Sequence, residues 1–216
     1  MKRNVRFYFS FRSPYSWIAT RMLAERSPAT LQLLEYIPLW EPDAVSEQLL
    51  RDRGAESTLL YTTMSRAKHL YILQDIRRLT TKLGYEMAWP VDIDPWWERP
   101  HLAYLVARQC GKGPEFFKAV YRARWTQGAD ICTEQVIREL AIEAGVEPDP
   151  IANAPGDPEI RREGVDGLYR AYHDGVFGVP FFIHKFEKYW GVDRVDAFLA
   201  GLASVAAKEV VEHEVR

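Results

Sequence analysis

The chain has 216 residues, of which 47% are hydrophobic and 27% are charged, and its formal net charge is -2. This length and composition predict a globular protein of one domain, or of one domain with an insertion. Because basic and acidic residues are interspersed, neither a nucleic-acid-binding stripe nor a polybasic membrane-binding cluster is indicated.

The N-terminus carries basic residues, but its apolar run is short and is broken by Ser10 and Arg12. We therefore expect no signal peptide, and no run of about 20 apolar residues predicts a membrane span. The two cysteines, Cys110 and Cys132, lie far apart and match no metal or redox spacing. We expect a soluble, cytoplasmic protein without a disulfide framework or a metal site.

An aromatic strand opens the chain. Phe7, Phe9 and Phe11 alternate with polar residues, so one face of phenylalanines is predicted to pack into a core. The strand should give way to a helix at Ser13 and Pro14, because a hydroxyl residue caps a helix and proline suits its first turn. Such a pair usually serves only as a cap, but a helix N-terminus also stabilises an anion such as a thiolate.

The next segments predict a second strand and a long helix. The apolar run from Leu31 to Leu39 suits a buried strand parallel to the first. The stretch from Leu59 to Leu83 contains no proline or glycine and places leucines near one face, which predicts an amphipathic helix. Gly84 then suits the end of that helix.

Lys68, Tyr71 and Asp75 fall at positions i, i+3 and i+7 of this predicted helix, so their side chains share one side. The ordinary interpretation is a solvated face with charge pairs. The following segment, Ala88 to Pro100, is rich in proline and tryptophan and is predicted to be a loop. Its tryptophans either pack onto the core or form the wall of a pocket for an aromatic substrate.

Helices dominate the region that follows. The predicted segments are His101 to Cys110, Glu115 to Thr126, and Thr133 to Ala144, with Thr133 as a cap. The proline-rich stretch from Pro148 to Pro158 is predicted to be a linker, leading to another helix from Glu159 to His173.

The strand pattern returns from Gly175 to Trp190 and predicts a hairpin. Val179 and Pro180 precede its first apolar strand, and proline is the residue for which a cis peptide bond costs only about 0.5 to 1 kcal/mol. Asp193 and Arg194 then open a last helix, which Asp193 is able to cap.

These motifs together resemble the 2-hydroxychromene-2-carboxylate isomerases and the kappa-class glutathione transferases, which are relatives of the DsbA-like oxidoreductases. In order, they are Ser-Pro-Tyr-Ser at 13–16, Lys-x-x-Tyr-x-x-x-Asp at 68–75, Trp-x-x-Gly-x-Asp-Ile at 125–131, Gly-Val-Pro at 178–180 and Gly-x-Asp-Arg at 191–194. The resemblance implies an α/β fold, with a thioredoxin-like domain (residues 1–39 and 170–216) split by a large all-helical insertion (residues 40–169). The tetrad has serine where redox relatives have Cys-x-x-Cys.

The resemblance also implies a bound glutathione, or another low-molecular-weight thiol. Its thiol would lie near Ser13, its cysteinyl backbone would pair with Val179 before a cis Pro180, and its γ-glutamyl end would meet Asp193 and Arg194. Lys68 is the implied partner of a carboxylate. The aromatic substrate is expected to contact Tyr15, Trp17, Tyr71, Trp96 and Trp97.

The implied activity is glutathione-dependent isomerisation of an aromatic enone acid, by addition of the thiolate, rotation and elimination, in a homodimer. A kappa-like transferase and a non-catalytic thiol- or peptide-binding domain are the alternatives. Two departures bear on the ligands. Val192 stands where such transferases often have serine, and Trp96, Trp97 and Glu98 replace a Pro-x-Asn-like stretch.

Overall fold

A computed structural model describes residues 5–55 and 65–214, with side chains described up to residue 204. Four strands form one mixed sheet in the order β2-β1-β3-β4. They are β1 (Val5–Phe9), β2 (Leu34–Pro38), β3 (Phe181–His184) and β4 (Glu187–Trp190). Strand β1 runs parallel to β2 and antiparallel to β3, and β3 and β4 form the predicted hairpin.

The described helices are α1 (Pro14–Arg26), α2 (Pro28–Leu33), α3 (Ala44–Arg51), α4 (Arg66–Leu83), α5 (Glu98–Gln109), α6 (Gly113–Trp125), α7 (Glu134–Ala144), α8 (Pro148–Ala152), α9 (Pro158–His173) and α10 (Val195–Glu214). Short 3₁₀ turns lie at Ala154–Gly156 and Val192–Arg194. Between β2 and β3 the described residues form helices and connections only. The prediction of a thioredoxin-like domain with a large helical insertion is therefore confirmed. No helix in the described part of the chain is long and apolar enough to cross a membrane.

One face of the sheet is the predicted phenylalanine face. The ring of Phe7 stacks on that of Phe182 at 4.7 Å, and Phe182 stacks on Phe198 of α10 at 4.5 Å. Phe9 packs edge-on against Phe117 of α6 at 4.8 Å. Aromatic alternation along β1 therefore joins the sheet to α10 and to the helical insertion.

Helix α9 packs on the opposite face. Arg6 of β1 contacts Asp174 at 2.6 Å, and the hydroxyl of Tyr8 donates to the same carboxylate. Arg170 of α9 makes a two-pronged pair with Glu35 of β2, at 2.5 and 2.9 Å. All of these contacts lie within the predicted thioredoxin-like domain, but its predicted boundary between residues 169 and 170 lies inside the continuous helix α9. The domain limits themselves stay a prediction.

Two predicted boundaries are wrong for local reasons. The apolar run from Leu31 to Leu39 is not all strand, because a second helix, α2, begins at Pro28 and lasts to Leu33. The hydroxyls of Ser27 and Thr30 lie 2.8 Å apart at its start. An apolar run does not by itself distinguish a strand from a short helix.

The prediction of a linker from Pro148 to Pro158 is also wrong. This stretch folds into α8 and a 3₁₀ turn, and Ile151 and Ala154 are buried. Its prolines lie in the first turns of these short helices and of α9, where a missing N–H group costs little. Proline therefore marks helix starts here rather than an exposed connection.

Of the remaining predicted boundaries, some agree with the structure and one does not. The described part of the long helix begins at Arg66, and the predicted segment at 59–64 lies outside the described residues. Gly84 ends this helix with φ +68°, as predicted. The tryptophan-rich loop is shorter than predicted, because α5 already begins at Glu98 and carries Pro100 in its first turn. Thr133 caps α7, as predicted.

Candidate active site

Ser13 is the N-cap of α1, as the sequence predicts. Its Oγ accepts a hydrogen bond from the backbone N–H of Ser16 at 3.2 Å, and its carbonyl accepts one from Trp17 at 3.2 Å. Pro14 is the first helical residue. The first turn of α1, which the structure describes completely, contains no acidic residue. The half-buried hydroxyl of Ser13 therefore lies at the positive end of α1. No carboxylate in the first turn of α1 offsets that positive charge.

The loop that carries Ser13 forms hydrogen bonds with buried side chains. The backbone N–H of Ser10 donates to the Oγ of the buried Ser16 at 3.4 Å. The carbonyl of Ser10 accepts from the backbone N–H of Ser13 and from the hydroxyl of Tyr121, both at 3.1 Å. The backbone N–H of Arg12 donates to the Ser10 hydroxyl at 3.3 Å. We call residues 10–13 the serine loop.

Phe11 attaches the serine loop to the helical insertion. Its backbone N–H donates to Nε2 of His101 on α5 at 3.1 Å, and its carbonyl accepts from the indole N–H of Trp125 on α6 at 3.1 Å. His101 places Nδ1 2.7 Å from the carbonyl of Trp97. These partners assign the proton to Nδ1 and the lone pair to Nε2. Complete burial lowers the pKa of His101 to about 3, so the ring is neutral.

Tyr15 joins the tetrad to α4. Its hydroxyl donates to Oδ2 of Asp75 at 2.8 Å, and Asp75 also accepts from Arg78 at 3.1 Å. Burial, and then the hydrogen bond to Asp75, raise the pKa of Tyr15 above its ordinary value. Of the three residues that share one side of α4, the structure brings Asp75 to the tetrad, while Lys68 and Tyr71 are exposed. Their roles in ligand binding stay predictions.

Trp17 and Trp97 are core residues in this structure. Trp17 is 3% exposed and packs against Trp125 and Tyr85, with ring centroids 6.5 and 6.0 Å apart. Trp97 is 4% exposed, and the guanidinium of Arg12 lies 5.3 Å from its ring. Trp97 therefore lies beside the serine loop, but as part of the packing behind it. Direct contact of either indole with a substrate stays a prediction.

Trp96 turns away from its neighbour. Its indole N–H donates to Oδ2 of Asp43, the N-cap of α3, at 3.1 Å. It also lines a pocket of about 470 Å³ within the insertion, together with Arg99, Asn153 and Asp157. The described contacts of Trp96 are therefore with the insertion and not with the serine loop. Its predicted contact with the substrate has no support from this placement.

The peptide bond between Val179 and Pro180 is cis, as predicted. Strand pairing sets Tyr8 opposite Phe181, the first residue of β3. Val179 therefore precedes β3 at the end of the sheet where β1 leads into the serine loop. This supports the predicted position of Val179 in the site.

Asp193 and Arg194 lie in the 3₁₀ turn before α10, and this turn contacts α1. Both residues are exposed, and they pair with each other at 2.8 Å. Gly191 precedes them with φ +99°, and a Cβ atom there would lie 2.7 Å from a carboxylate oxygen of Asp193. The backbone N–H of Gly191 donates to the carbonyl of Pro180 at 3.0 Å, which links this turn to the cis proline.

Three residues that position the serine loop were not predicted as part of the site: His101, Tyr121 and Trp125. The sequence places them on helices that begin about 90 or more residues after the loop, and histidine or tyrosine on an apolar helix is usually a core residue. Trp125 opens the motif at 125–131, which contributed to the resemblance but was assigned no role in the site. No local signal identifies the other two.

A four-stranded mixed sheet, a helix that follows β1 and is capped by Ser13, and a cis proline directly before β3 define a thioredoxin-like protein. Its Ser-Pro-Tyr-Ser tetrad lacks both cysteines of the redox relatives. The chain belongs to the DSBA-like thioredoxin domain family, whose model matches residues 4–203.

The relatives support the resemblance that the motifs predicted. A curated 2-hydroxychromene-2-carboxylate isomerase from Sphingobium xenophagum is 25% identical over 198 residues, which cover 91% of this chain and 96% of the relative. A solved 2-hydroxychromene-2-carboxylate isomerase superposes with a TM-score of 0.73 at 18% identity, covering 95% of this chain and 97% of the other. The cytosolic disulfide reductase DsbM from Pseudomonas aeruginosa gives 0.60 at 16% identity, covering 93% and 98%. The similarity to the isomerases is thereby confirmed.

Proposed function

We propose that this chain is a glutathione-dependent isomerase of the 2-hydroxychromene-2-carboxylate isomerase type, acting on an aromatic enone acid. The observation that carries the proposal is the position of Ser13. It stands at the N-terminus of α1, where redox relatives have a cysteine, in a loop whose backbone is fixed by buried partners. The similarity to a curated isomerase supports the same reaction class.

The residues of the site fit a low-molecular-weight thiol. Ser13 is able to donate a hydrogen bond to a thiolate, and the positive helix end lowers the pKa of a thiol placed there. The backbone of Val179 is suited to pair with a peptide-like ligand, as a strand edge does. Arg194 and Asp193 offer opposite charges for a terminus that carries both a carboxylate and an amine. The same fold has been solved with GSH in DsbM.

Glutathione would supply the nucleophile, a thiolate that adds to the conjugated double bond and leaves after rotation about the resulting single bond, so that no net oxidation occurs. The residues of this chain bind and orient. Ser13 holds the sulfur as an anion, and Lys68 is proposed to pair with a carboxylate. Because the tetrad has no sulfur, no disulfide between its two serine positions is part of this reaction. By resemblance, we also propose that the protein is a cytoplasmic homodimer.

The first test measures melting temperature against a panel of low-molecular-weight thiols that includes glutathione. A ligand that binds only the folded state must raise its stability. The second test follows the conversion of cis to trans aromatic enone acids, with and without the thiol that stabilises the protein. Thiol-dependent isomerisation without a change in substrate mass is the expected result.

Other outcomes separate the alternatives. Accumulation of a thiol adduct would identify a kappa-like transferase. Stabilisation by a thiol without turnover of any acid in the panel would favour a binding domain. If no thiol changes either melting or turnover, the proposal is wrong.

A further inference from the structure

A pocket in the helical insertion has no role in the proposed reaction. Its volume is about 470 Å³, which is typical of pockets that bind small ligands. The indole of Trp96 forms one wall, and small residues at the end of α8 and in the following 3₁₀ turn form another. Arg99, Asn153 and Asp157 add polar groups to the lining. We call this cavity the insertion pocket.

Arg99 lines the insertion pocket as a cation without a carboxylate partner. The residue is half-buried, and no carboxylate oxygen of the described residues lies within 4.0 Å of its guanidinium nitrogens. Every other described arginine that is not exposed does pair with a carboxylate: Arg6, Arg12, Arg21, Arg53, Arg124, Arg138, Arg161 and Arg170. Because a charged side chain is rarely buried without a partner, we expect an anion to bind beside Arg99.

The guanidinium of Arg99 is positioned by neutral groups. Its Nη1 donates to the carbonyl of Cys132 at 2.8 Å, and its central carbon lies 5.3 Å from the centre of the Trp96 ring. Its Nε is buried and has no acceptor among the described residues. Trp96 is fixed in turn, since its indole N–H donates to Asp43 at 3.1 Å. The positive charge is therefore in place before a ligand binds, which lowers the entropic cost of binding.

A negative charge lines the same pocket but does not reach Arg99. Asp157 caps α9 through Oδ1, which accepts from the backbone N–H groups of Glu159 and Ile160 at 2.8 and 3.2 Å. In the described part of the chain, neither its Oδ2 nor the side-chain amide of Asn153 has a hydrogen-bond partner. Arg99 and Asp157 thus line one cavity at a separation too large for direct pairing. Such an arrangement suits a ligand that carries both charges.

We propose that the insertion pocket binds a free α-amino acid with a large apolar side chain. The carboxylate of the ligand pairs with Arg99, and its ammonium group pairs with Asp157, because Glu134 of the lining already pairs with Arg138 at 2.8 Å. The apolar side chain of the ligand packs against Trp96. This inference does not rest on the proposed function, because no step of the isomerisation uses these residues.

The first test is calorimetric titration of the parent with L-leucine, L-methionine and L-phenylalanine. Two analogues of leucine each lack one charge: 4-methylpentanoate has no ammonium group, and 3-methylbutylamine has no carboxylate. Each analogue should bind about tenfold more weakly than leucine, because bonds between charged groups are the stronger ones. Equal affinity for leucine and its analogues would overturn the inference. So would the absence of binding by all three amino acids at millimolar concentration.

Asp157→Ser is the main variant, because serine keeps a cap for α9 while it removes the carboxylate. It should weaken leucine binding about tenfold and leave the affinity for 4-methylpentanoate unchanged, since that acid has no ammonium group. Glu159→Gln is the matched control, because it removes an exposed carboxylate of the same helix end that does not line the pocket. Equal leucine affinity of the two variants would overturn the inference.

Arg99→Gln tests the other charge and keeps a donor for the carbonyl of Cys132. It should weaken leucine binding about tenfold and leave the affinity for 3-methylbutylamine unchanged. Arg162→Gln, which changes an exposed arginine of α9, is the matched control and should bind leucine as the parent does. Equal leucine affinity of these two variants would contradict the pairing with Arg99. Thermal unfolding followed by circular dichroism verifies that each variant is folded.

Glutathione separates the insertion pocket from the proposed thiol site. Its γ-glutamyl end carries the same two charges but no large apolar side chain, so glutathione should not displace leucine from the parent. If the parent binds leucine but has no thiol-dependent turnover, the proposed function fails and this inference stands. Displacement of leucine by glutathione would overturn the inference, because the pocket would then be a thiol site.

Discussion

The backbone N–H of Phe11 donates a hydrogen bond to Nε2 of the buried His101 over 3.1 Å, across 90 positions of sequence. The other ring nitrogen of His101 lies 2.7 Å from the carbonyl of Trp97. Buried backbone groups need such partners, because an unpaired one costs as much as a lost hydrogen bond. The position of Ser13, two residues further along, therefore depends on helices of the insertion as well as on the thioredoxin-like sheet.

Stability should fall in acid because His101 is buried in its neutral form. Burial lowers its pKa from an ordinary value of about 6.5 to about 3, so the unfolded state binds the proton more tightly. The stability that this difference in the pKa of His101 contributes is fully present above about pH 6.5 and is lost as pH falls towards 3. The free energy of unfolding should decrease by at most about 1.4 kcal/mol per pH unit from this group. Urea unfolding at several pH values would measure the slope.

The control for this prediction is His101→Gln, compared by slope and not by absolute stability. Glu98 acts in the opposite direction, because burial raises its pKa to about 6. The stability that protonated Glu98 contributes is fully present below the ordinary pKa of a glutamate carboxyl and is lost as pH rises through about 6. Both proteins contain Glu98, so the difference between their slopes reports His101. Identical slopes would contradict the assignment of a neutral buried ring.

The hydrogen bond between Tyr15 and Asp75 should stabilise the contact of α1 with α4. Tyr15→Phe and Asp75→Asn should each lower the free energy of unfolding by about 1 to 2 kcal/mol, because a bond to a charged group is worth more than a neutral one. In a double-mutant cycle the coupling energy should be about 1 kcal/mol. Arg78→Gln is a control, since it removes an exposed ion pair with the same carboxylate. A coupling energy near zero would show that the bond does not contribute.

The protein should have no dithiol-disulfide exchange activity. Its tetrad has serine at both sulfur positions, and Cys110 and Cys132 lie on or after distant helices. Burial raises the pKa of Cys132 to about 12, so its thiolate is scarce at neutral pH. Insulin-disulfide reduction should stay at the background rate, and a thiol reagent should modify Cys110 in the native state but Cys132 only after unfolding. Reduction of insulin that persists in Cys110→Ser would contradict this expectation.

Short-range sequence patterns predicted many of the strands and helix ends of the fold. The alternation of Phe7 and Phe9, the caps at Ser13 and Gly84, and the hairpin of β3 and β4 are all features whose causes lie within a few neighbouring residues. Each depends on backbone preferences that a short sequence displays directly. The order of the motifs then predicted the fold class.

The rest of the site depends on contacts that no local pattern displays. Trp96 and Trp97 are adjacent in the sequence, directly before α5. In the structure the indole of Trp96 donates to Asp43, whereas the indole of Trp97 is buried in the core. His101 meets the serine loop only after α5 packs against the sheet.

Ser16→Ala should lower the free energy of unfolding more than Ser13→Ala does, whereas Ser13→Ala should lower the activity more. Ser16 is completely buried, and its Oγ accepts from the backbone N–H of Ser10. Ser16→Ala leaves that buried group unpaired, which should lower the free energy of unfolding by about 1 to 3 kcal/mol. Ser13→Ala removes a helix cap, which costs about 1 kcal/mol.

Activity should show the reverse order. If Ser13 holds a thiolate, its loss removes a hydrogen bond to a charged group, worth about 1.5 to 3 kcal/mol, and slows thiol-dependent turnover roughly ten- to a hundredfold. Ser16→Ala should retain most of the activity of its folded fraction, since its hydroxyl points into the protein. Turnover is measured well below the melting temperature of each variant, with circular dichroism to verify folding. Equal activity of the two folded variants would remove Ser13 from the mechanism.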